Sequence, residues 1–301
     1  MNADKVSDIY QKIQDNICRI LDKADGTGHF EKHTWKKDIG FGHTCVMQNG
    51  AVIEKAGVNF SFVKGDFSPR MESILGEKGN TYAATGISSI IHPSNPWVPI
   101  IHMNVRFFEL DSGKSWFGGG VDLTPHYVIP DDAKQFHQKL KLICDKYSDR
   151  FYPEFKEWAD DYFYIRHRGE TRGVGGIFFD RIVPGKDNPD FEQMIAFTSE
   201  LSSAYPEIYA GLMEIYGNKS FTDEHIKWQR LRRGRYVEFN LIYDRGTRFG
   251  LESDGNIESI LISLPPDVSW IYDYKPGDGS PEQKTLDLLK KGIDWINFNR
   301  K

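Results

Sequence analysis

Cysteine is nearly absent from this sequence: Cys18, Cys45 and Cys144 are the only three in 301 residues. They are too few and too dispersed for a disulfide framework or a zinc knuckle, and they point to a cytoplasmic, reducing location. Long apolar runs are missing as well. No stretch reaches the roughly 18 residues that would cross a bilayer, so no membrane span is expected. The opening residues, MNADKVSDIYQKIQDNICRIL, mix acidic and basic groups without a long apolar core. They read as neither a signal peptide nor a transit peptide. A basic excess is lacking too. Lys and Arg total 38 against 43 Asp and Glu, and the formal charge of −5 argues against a nucleic-acid partner. Repeats, low-complexity tracts and Pro/Ser-rich linkers do not occur, so residues 1–301 read as one domain.

Aromatic residues, by contrast, are plentiful. Twenty Phe, fourteen Tyr and seven Trp imply either a thick core or a pocket for a flat apolar ligand. Val6, Ile9, Tyr10, Ile13, Ile17, Ile20 and Leu21 recur at helical spacing until Gly26, which predicts an amphipathic first helix. Asn49–Gly50, between 45–48 and 51–54, predicts a hairpin. Further strands are expected at 81–91, 100–110, 115–123, 174–182, 235–243 and 257–264. Helices are expected at 131–147, 152–166, 190–216, 222–232 and 281–297, the last opened by Ser280 as N-cap, Pro281 and Gln283. This order predicts an α+β fold built on a large, mostly antiparallel sheet.

Three stretches carry residues suited to chemistry. In PIIHMNVRFFEL (99–110), period two puts Ile101, Met103, Val105 and Phe107 on one side of a strand. His102, Asn104, Arg106 and Phe108 fall on the other. An imidazole, an amide and a guanidinium in one row suit an anionic ligand, or they form a solvated polar face. In RYVEFNLIYDRGTRFG (235–250), the same alternation predicts a strand that ends at the turn Asp244–Arg245–Gly246. That acid and base either pair with each other or face a ligand. Gly118–Gly120 allows close approach of a ligand or of another backbone, or marks a bulge. The run Arg230, Arg232, Arg233 and Arg235 suits a helix C-terminus better than a nucleic-acid patch.

Taken together, SSIIHPSNPWVPIIHMNVRFFE (88–109), WFGGGVDLTP (116–125), DDYFYIRHRGETRGVGGIFFD (160–180), RRGRYVEFNLIYDRGTRFGL (232–251), ESILISLPP (258–266) and YDYKPGDGSPE (272–282) resemble the oxygen-dependent coproporphyrinogen III oxidases over roughly residues 40–297. The resemblance implies one large antiparallel sheet with helices on both faces, assembled as a homodimer through residues 236–271. It implies that coproporphyrinogen III and O2 are the substrates. The ring A and B propionates would be oxidatively decarboxylated to vinyl groups, giving protoporphyrinogen IX, CO2 and H2O2 in haem biosynthesis. By position, His102 matches the family's proton donor, and Asp244 and Arg245 match its acid–base and carboxylate-binding pair. Asp244, on the polar face of the expected strand, is expected as the base, with His102 as its rival. Ser88, Asn104, Val105, Arg106, Asp254, Gly255 and Asn256 match substrate contacts. The sequence departs from the family pattern at Asn256, where an Arg is usual, and in the run near Gly40 and Gly42, interrupted by Ile39, Phe41 and His43. No organic cofactor is implied. A divalent metal is an alternative, with His92, His102, His137 and His167 as its candidate ligands.

Overall fold

A computed structural model describes residues 2–252 and 256–299. Helix α1 (Asn2–Asp25) leads into six strands joined in succession: β1 (Glu31–Lys37), β2 (Gly40–Gln48), β3 (Ile53–Asp66), β4 (Thr81–Pro93), β5 (Ile100–Leu110) and β6 (Ser115–Thr124). The short α2 (Pro69–Leu75) interrupts them. Then come α3 (Pro130–Asp145), α4 (Phe151–Tyr162), the two-residue strands β7 (Tyr164–Ile165) and β8 (Glu170–Thr171), and β9 (Gly175–Ile182). The chain continues through α5 (Phe191–Tyr216), α6 (Asp223–Ile242), α7 (Arg245–Glu252), α8 (Ile257–Leu261) and α9 (Pro281–Leu288). Seven strands form one sheet in the order β1-β2-β3-β4-β5-β6-β9, and every neighbouring pair is antiparallel. The expected α+β architecture, with helices on both faces, is what the chain adopts.

One face of the sheet is sealed by α1 and α5. Met103 and Val105 are fully buried against this layer, and Ser89 meets the Tyr205 hydroxyl at 3.0 Å. Gln14 of α1 donates to the carbonyls of His43 and Val58, tying helix to sheet. Asn49 takes the left-handed conformation (φ 57) that the tight β2–β3 turn requires. The other face is covered only in part, by α6 and α8. Tyr236 of α6 packs on Ile90 and Ile100, and Ser259 of α8 meets Thr44 at 2.9 Å.

Two expected strands are helices. Residues 235–243 complete α6, and 257–264 contain α8. The alternation of Val237, Phe239, Leu241 and Tyr243 also fits a helix whose buried side is Trp228, Leu231, Arg232, Tyr236, Phe239 and Asn240, at a spacing of three to four. Helical continuation from 223–234 prevails over local β-preference, and Leu241 is left 45% exposed. The last helix stops at Leu288, not 297, and Gly292 follows in the left-handed region. Strand β1, which sequence patterning misses, is an exposed edge of mostly charged residues.

Candidate active site

The site is built on the partly covered face, and β5 lies at its centre. His102, Asn104, Arg106 and Phe108 are half-buried there, while their neighbours Ile101, Met103, Val105 and Phe107 face the core. Cross-strand register extends the pattern. One row reads Thr44, Asn59, Ser88, Asn104, Gly120 and Phe178, and the next reads Gly42, Ser61, Gly86, Arg106 and Gly118. Small side chains dominate both rows. Five strands spaced by about 4.8 Å make a floor about 19 Å wide, shallow enough for a flat ligand. The glycine triplet has a local explanation. A Cβ at Gly118 would meet the Arg106 guanidinium at 2.8 Å, and one at Gly119 or Gly120 would meet a backbone carbonyl at 2.5 or 2.6 Å.

His102 is held from behind. Its Nδ1 lies 2.9 Å from Asp122 Oδ1, so it donates to that carboxylate and leaves Nε2 for a ligand. Asp122 is buried and also accepts from Arg172 Nη2 at 2.7 and 2.8 Å. Burial alone would raise the Asp122 carboxyl. The charges of Arg172 and His102 outweigh it and hold the group below the ordinary carboxylate range. Arg172 is itself buried, 4.4 to 4.6 Å above the rings of Phe163, Tyr236 and Phe239, and it donates to Asn240 at 3.1 Å. Neither Asp122 nor Arg172 stood out in the sequence. The available signal was a lone carboxylate inside an apolar strand, GGGVDLT, because buried charges need partners.

The far wall of the floor is aromatic. Tyr162 stacks on Phe178 with centroids 4.1 Å apart and planes at 11°. Its hydroxyl donates to Asp244 Oδ1 at 3.0 Å, and Asp244 Oδ2 accepts the Thr247 N–H at 2.7 Å. Asp244 thus caps α7 at its start; it does not lie on a strand's polar face as expected. Arg245 is exposed, its guanidinium 5.8 Å above the Tyr162 ring.

The other candidates are dispersed. Val105 turns its side chain to the core and offers the floor only its backbone. Asn256 caps α8 and lines a groove of about 500 Å³ with Trp35, Thr44 and Lys55, whose walls do not include His102, Asn104 or Arg106. Asp254 and Gly255 lie outside the described residues. His92 is buried, with Nε2 2.9 Å from the Ser263 carbonyl oxygen. His137 is enclosed between Tyr152 and the Val174 carbonyl. His167 sits at the surface between Tyr243 and Glu238. The four histidines do not converge, and among the described residues no three His, Cys, Asp or Glu side chains cluster as metal ligands would. The arginine run lies within α6 and not at a helix C-terminus as expected. Arg232 pairs with Glu170, Arg233 with Glu54 and Arg235 with Glu238 as internal bracing, and Arg230 meets Asp267 at the surface.

The family model described as Coproporphyrinogen III oxidase matches residues 5–295. The chain is 44% identical to "Oxygen-dependent coproporphyrinogen-III oxidase, chloroplastic" of Nicotiana tabacum, over 98% of this chain and 79% of that protein. It is 44% identical to the oxygen-dependent enzyme of Drosophila melanogaster, over 96% and 77%. For the mitochondrial enzyme of Rattus norvegicus the identity is again 44%, over 97% and 69%. With a match across nearly its whole length and relatives covered this fully, the chain belongs to the coproporphyrinogen III oxidase family.

Proposed function

We infer that the chain catalyses its family's reaction, the oxygen-dependent oxidative decarboxylation of the ring A and B propionates of coproporphyrinogen III in haem biosynthesis. For each propionate, the carboxylate leaves as CO2 and the methylene next to the ring gives up a hydride equivalent. O2 takes that hydride and one proton to become H2O2, and a vinyl group remains. The observation that carries the reading is the His102–Asp122 pair facing the same open floor as Asn104 and Arg106. A porphyrinogen is a broad macrocycle with four carboxylates, and a floor of small residues edged by guanidinium groups and aromatic rings is its chemical counterpart.

His102 acts as the acid–base group. Asp122 fixes the proton on Nδ1, so Nε2 accepts the pyrrole N–H proton and returns it when the vinyl forms. The deprotonated pyrrole is richer in electrons and promotes loss of the methylene hydride to O2; the substrate itself is the reductant, with no organic cofactor. Arg106 and Arg245 hold carboxylates, Ser88 and Asn104 donate hydrogen bonds, and the backbone at Val105 completes the contact. Asp244, with both oxygens engaged, orients α7 and Arg245. A homodimer is the assembly. Leu241, Ile242, Trp270 and Ile271, each 45–53% exposed, supply apolar surface for it on α6 and the segment after α8. Free, buried thiols at Cys18, Cys45 and Cys144 favour the cytoplasm.

The test is turnover of coproporphyrinogen III by metal-stripped protein, with and without oxygen, read by product mass. Loss of two carboxyl groups only in the presence of O2 is expected. Binding without turnover would make the protein a tetrapyrrole carrier. Activity that returns only on adding metal would make it a metal-dependent oxygenase.

A further inference from the structure

Beside the floor, the pairing of β6 with β9 is irregular. Phe117 faces Ile182 and Gly119 faces Phe179, so two residues of β9, Asp180 and Arg181, lie opposite the single Gly118. This is a β-bulge, and such features re-aim side chains. Arg181 carries it in the left-handed region at φ 54, uncommon for a residue other than glycine. The bulge brings Asp180 Oδ1 within 2.7 Å of Arg106 Nη2, and the Arg181 N–H donates to the same oxygen at 3.0 Å. Arg106 Nη1 donates to Asn104 Oδ1 at 2.9 Å. The guanidinium therefore lies across Gly118, where a Cβ would come 2.7 Å from Asp180 Oδ1 and 2.8 Å from Arg106 Nε. Glycine, bulge and left-handed residue all serve one arrangement: a guanidinium pinned at both terminal nitrogens and still 40% exposed on the floor.

We propose that Asp180 is a positioning residue for the decarboxylation, fixing the Arg106 fork so that its free N–H groups meet a substrate carboxylate in one geometry. The proposal rests on the reading of Arg106 as a carboxylate contact. An arginine side chain left to itself samples many rotamers, and a carboxylate bound to it would swing with it. Pinned, it places the propionate chain at a constant height above the pyrrole. Asp180 also offsets part of the Arg106 charge, which tempers ground-state attraction for a tetra-anionic substrate. Removing the carboxylate should thus lower kcat without weakening binding, because orientation is lost while charge attraction is kept or increased.

A double-mutant cycle tests this on the full chain. Asp180→Asn should lower kcat about tenfold with KM unchanged or lower. Gly118→Ala, which pushes the pair apart from the other side, should produce the same split more weakly. Arg106→Ala should raise KM, and in that background Asp180→Asn should cause no further loss, because the residue acts through Arg106. Melting curves confirm that each variant is folded. A tenfold kcat loss that persists in the Arg106→Ala background overturns the positioning role, as does wild-type kcat in a folded Asp180→Asn. If Arg106→Ala leaves kcat and KM untouched, the carboxylate contact itself fails, and the proposal falls with it by that separate route.

Discussion

The two sides of strand β5 differ in almost every respect. Ile101, Met103, Val105 and Phe107 are at most 1% exposed and touch only apolar neighbours and the α1–α5 layer. His102, Asn104 and Arg106, interleaved with them, are half-buried; His102 donates to Asp122, and Arg106 donates to Asn104 and Asp180. One side gains its stability from burial. The other withholds burial and gives its side chains fixed directions instead. A single strand can do both because alternation separates the two tasks by one residue, so substitutions on either side should have separable consequences.

The largest expected effect lies on the open side. His102→Gln keeps a polar side chain and removes the titratable nitrogen; it should lower kcat by about 10²–10⁴-fold with a melting temperature close to wild type. A kcat within a factor of three would end the acid–base role. Its counterpart on the closed side is Phe107→Ala, expected to cost about 3–5 kcal/mol of stability in denaturant titrations. The kcat per folded molecule should hold, and a matching collapse in kcat would blur the distinction between the sides. Next, Arg245→Lys asks whether the open side extends to α7. Loss of a guanidinium–carboxylate bond of about 1.5–3 kcal/mol should lower kcat/KM roughly 10–100-fold. An unchanged kcat/KM would exclude Arg245 from substrate binding.

The smallest effect concerns pH. Burial holds His126 down to about 3, His137 down to about 4, and His92 well below the ordinary 6.5. The unfolded chain takes up these protons before the folded one does. Stability from keeping the three neutral is therefore whole above pH 6.5 and is lost as pH falls toward 4 and 3. Melting temperature should decline over that window. His137→Gln should flatten the decline, and an identical slope in the variant would show that other groups dominate.

Much of this was legible in the sequence. The alternation of β5 assigned His102, Asn104 and Arg106 to one face, and Asn49–Gly50 marked the β2–β3 turn. The missing parts have physical causes. Residues 235–243 satisfy period two and period 3.6 alike; continuation of the helix from 223–234 and the docking of Tyr236 against Ile90, Ile100 and Arg172 decide for the helix. Asp122 and Arg172 were hidden because each alone looks like an ordinary charge; their meaning appears only when the fold pairs them. Asp244 reads as a base when 235–243 is taken for a strand, whose polar face would turn the carboxylate to a ligand. As a helix cap, it spends both oxygens locally.

The cation stacked on three rings has a kinetic consequence. His102 and Asp122 are 20 residues apart and meet as soon as the β5–β6 hairpin closes. Arg172 reaches Asp122 across 50 residues, and Asn240 reaches Arg172 across 68, so their loops close at greater entropic cost. During folding, the hairpin can form while Asp122 still lacks its counter-charge and the imidazole still lacks a fixed direction. Docking of α6 supplies Tyr236, Phe239 and Asn240 together and completes the enclosure. The onset of catalysis during refolding is therefore a clock for the docking of α6, and it should lag behind the formation of the sheet.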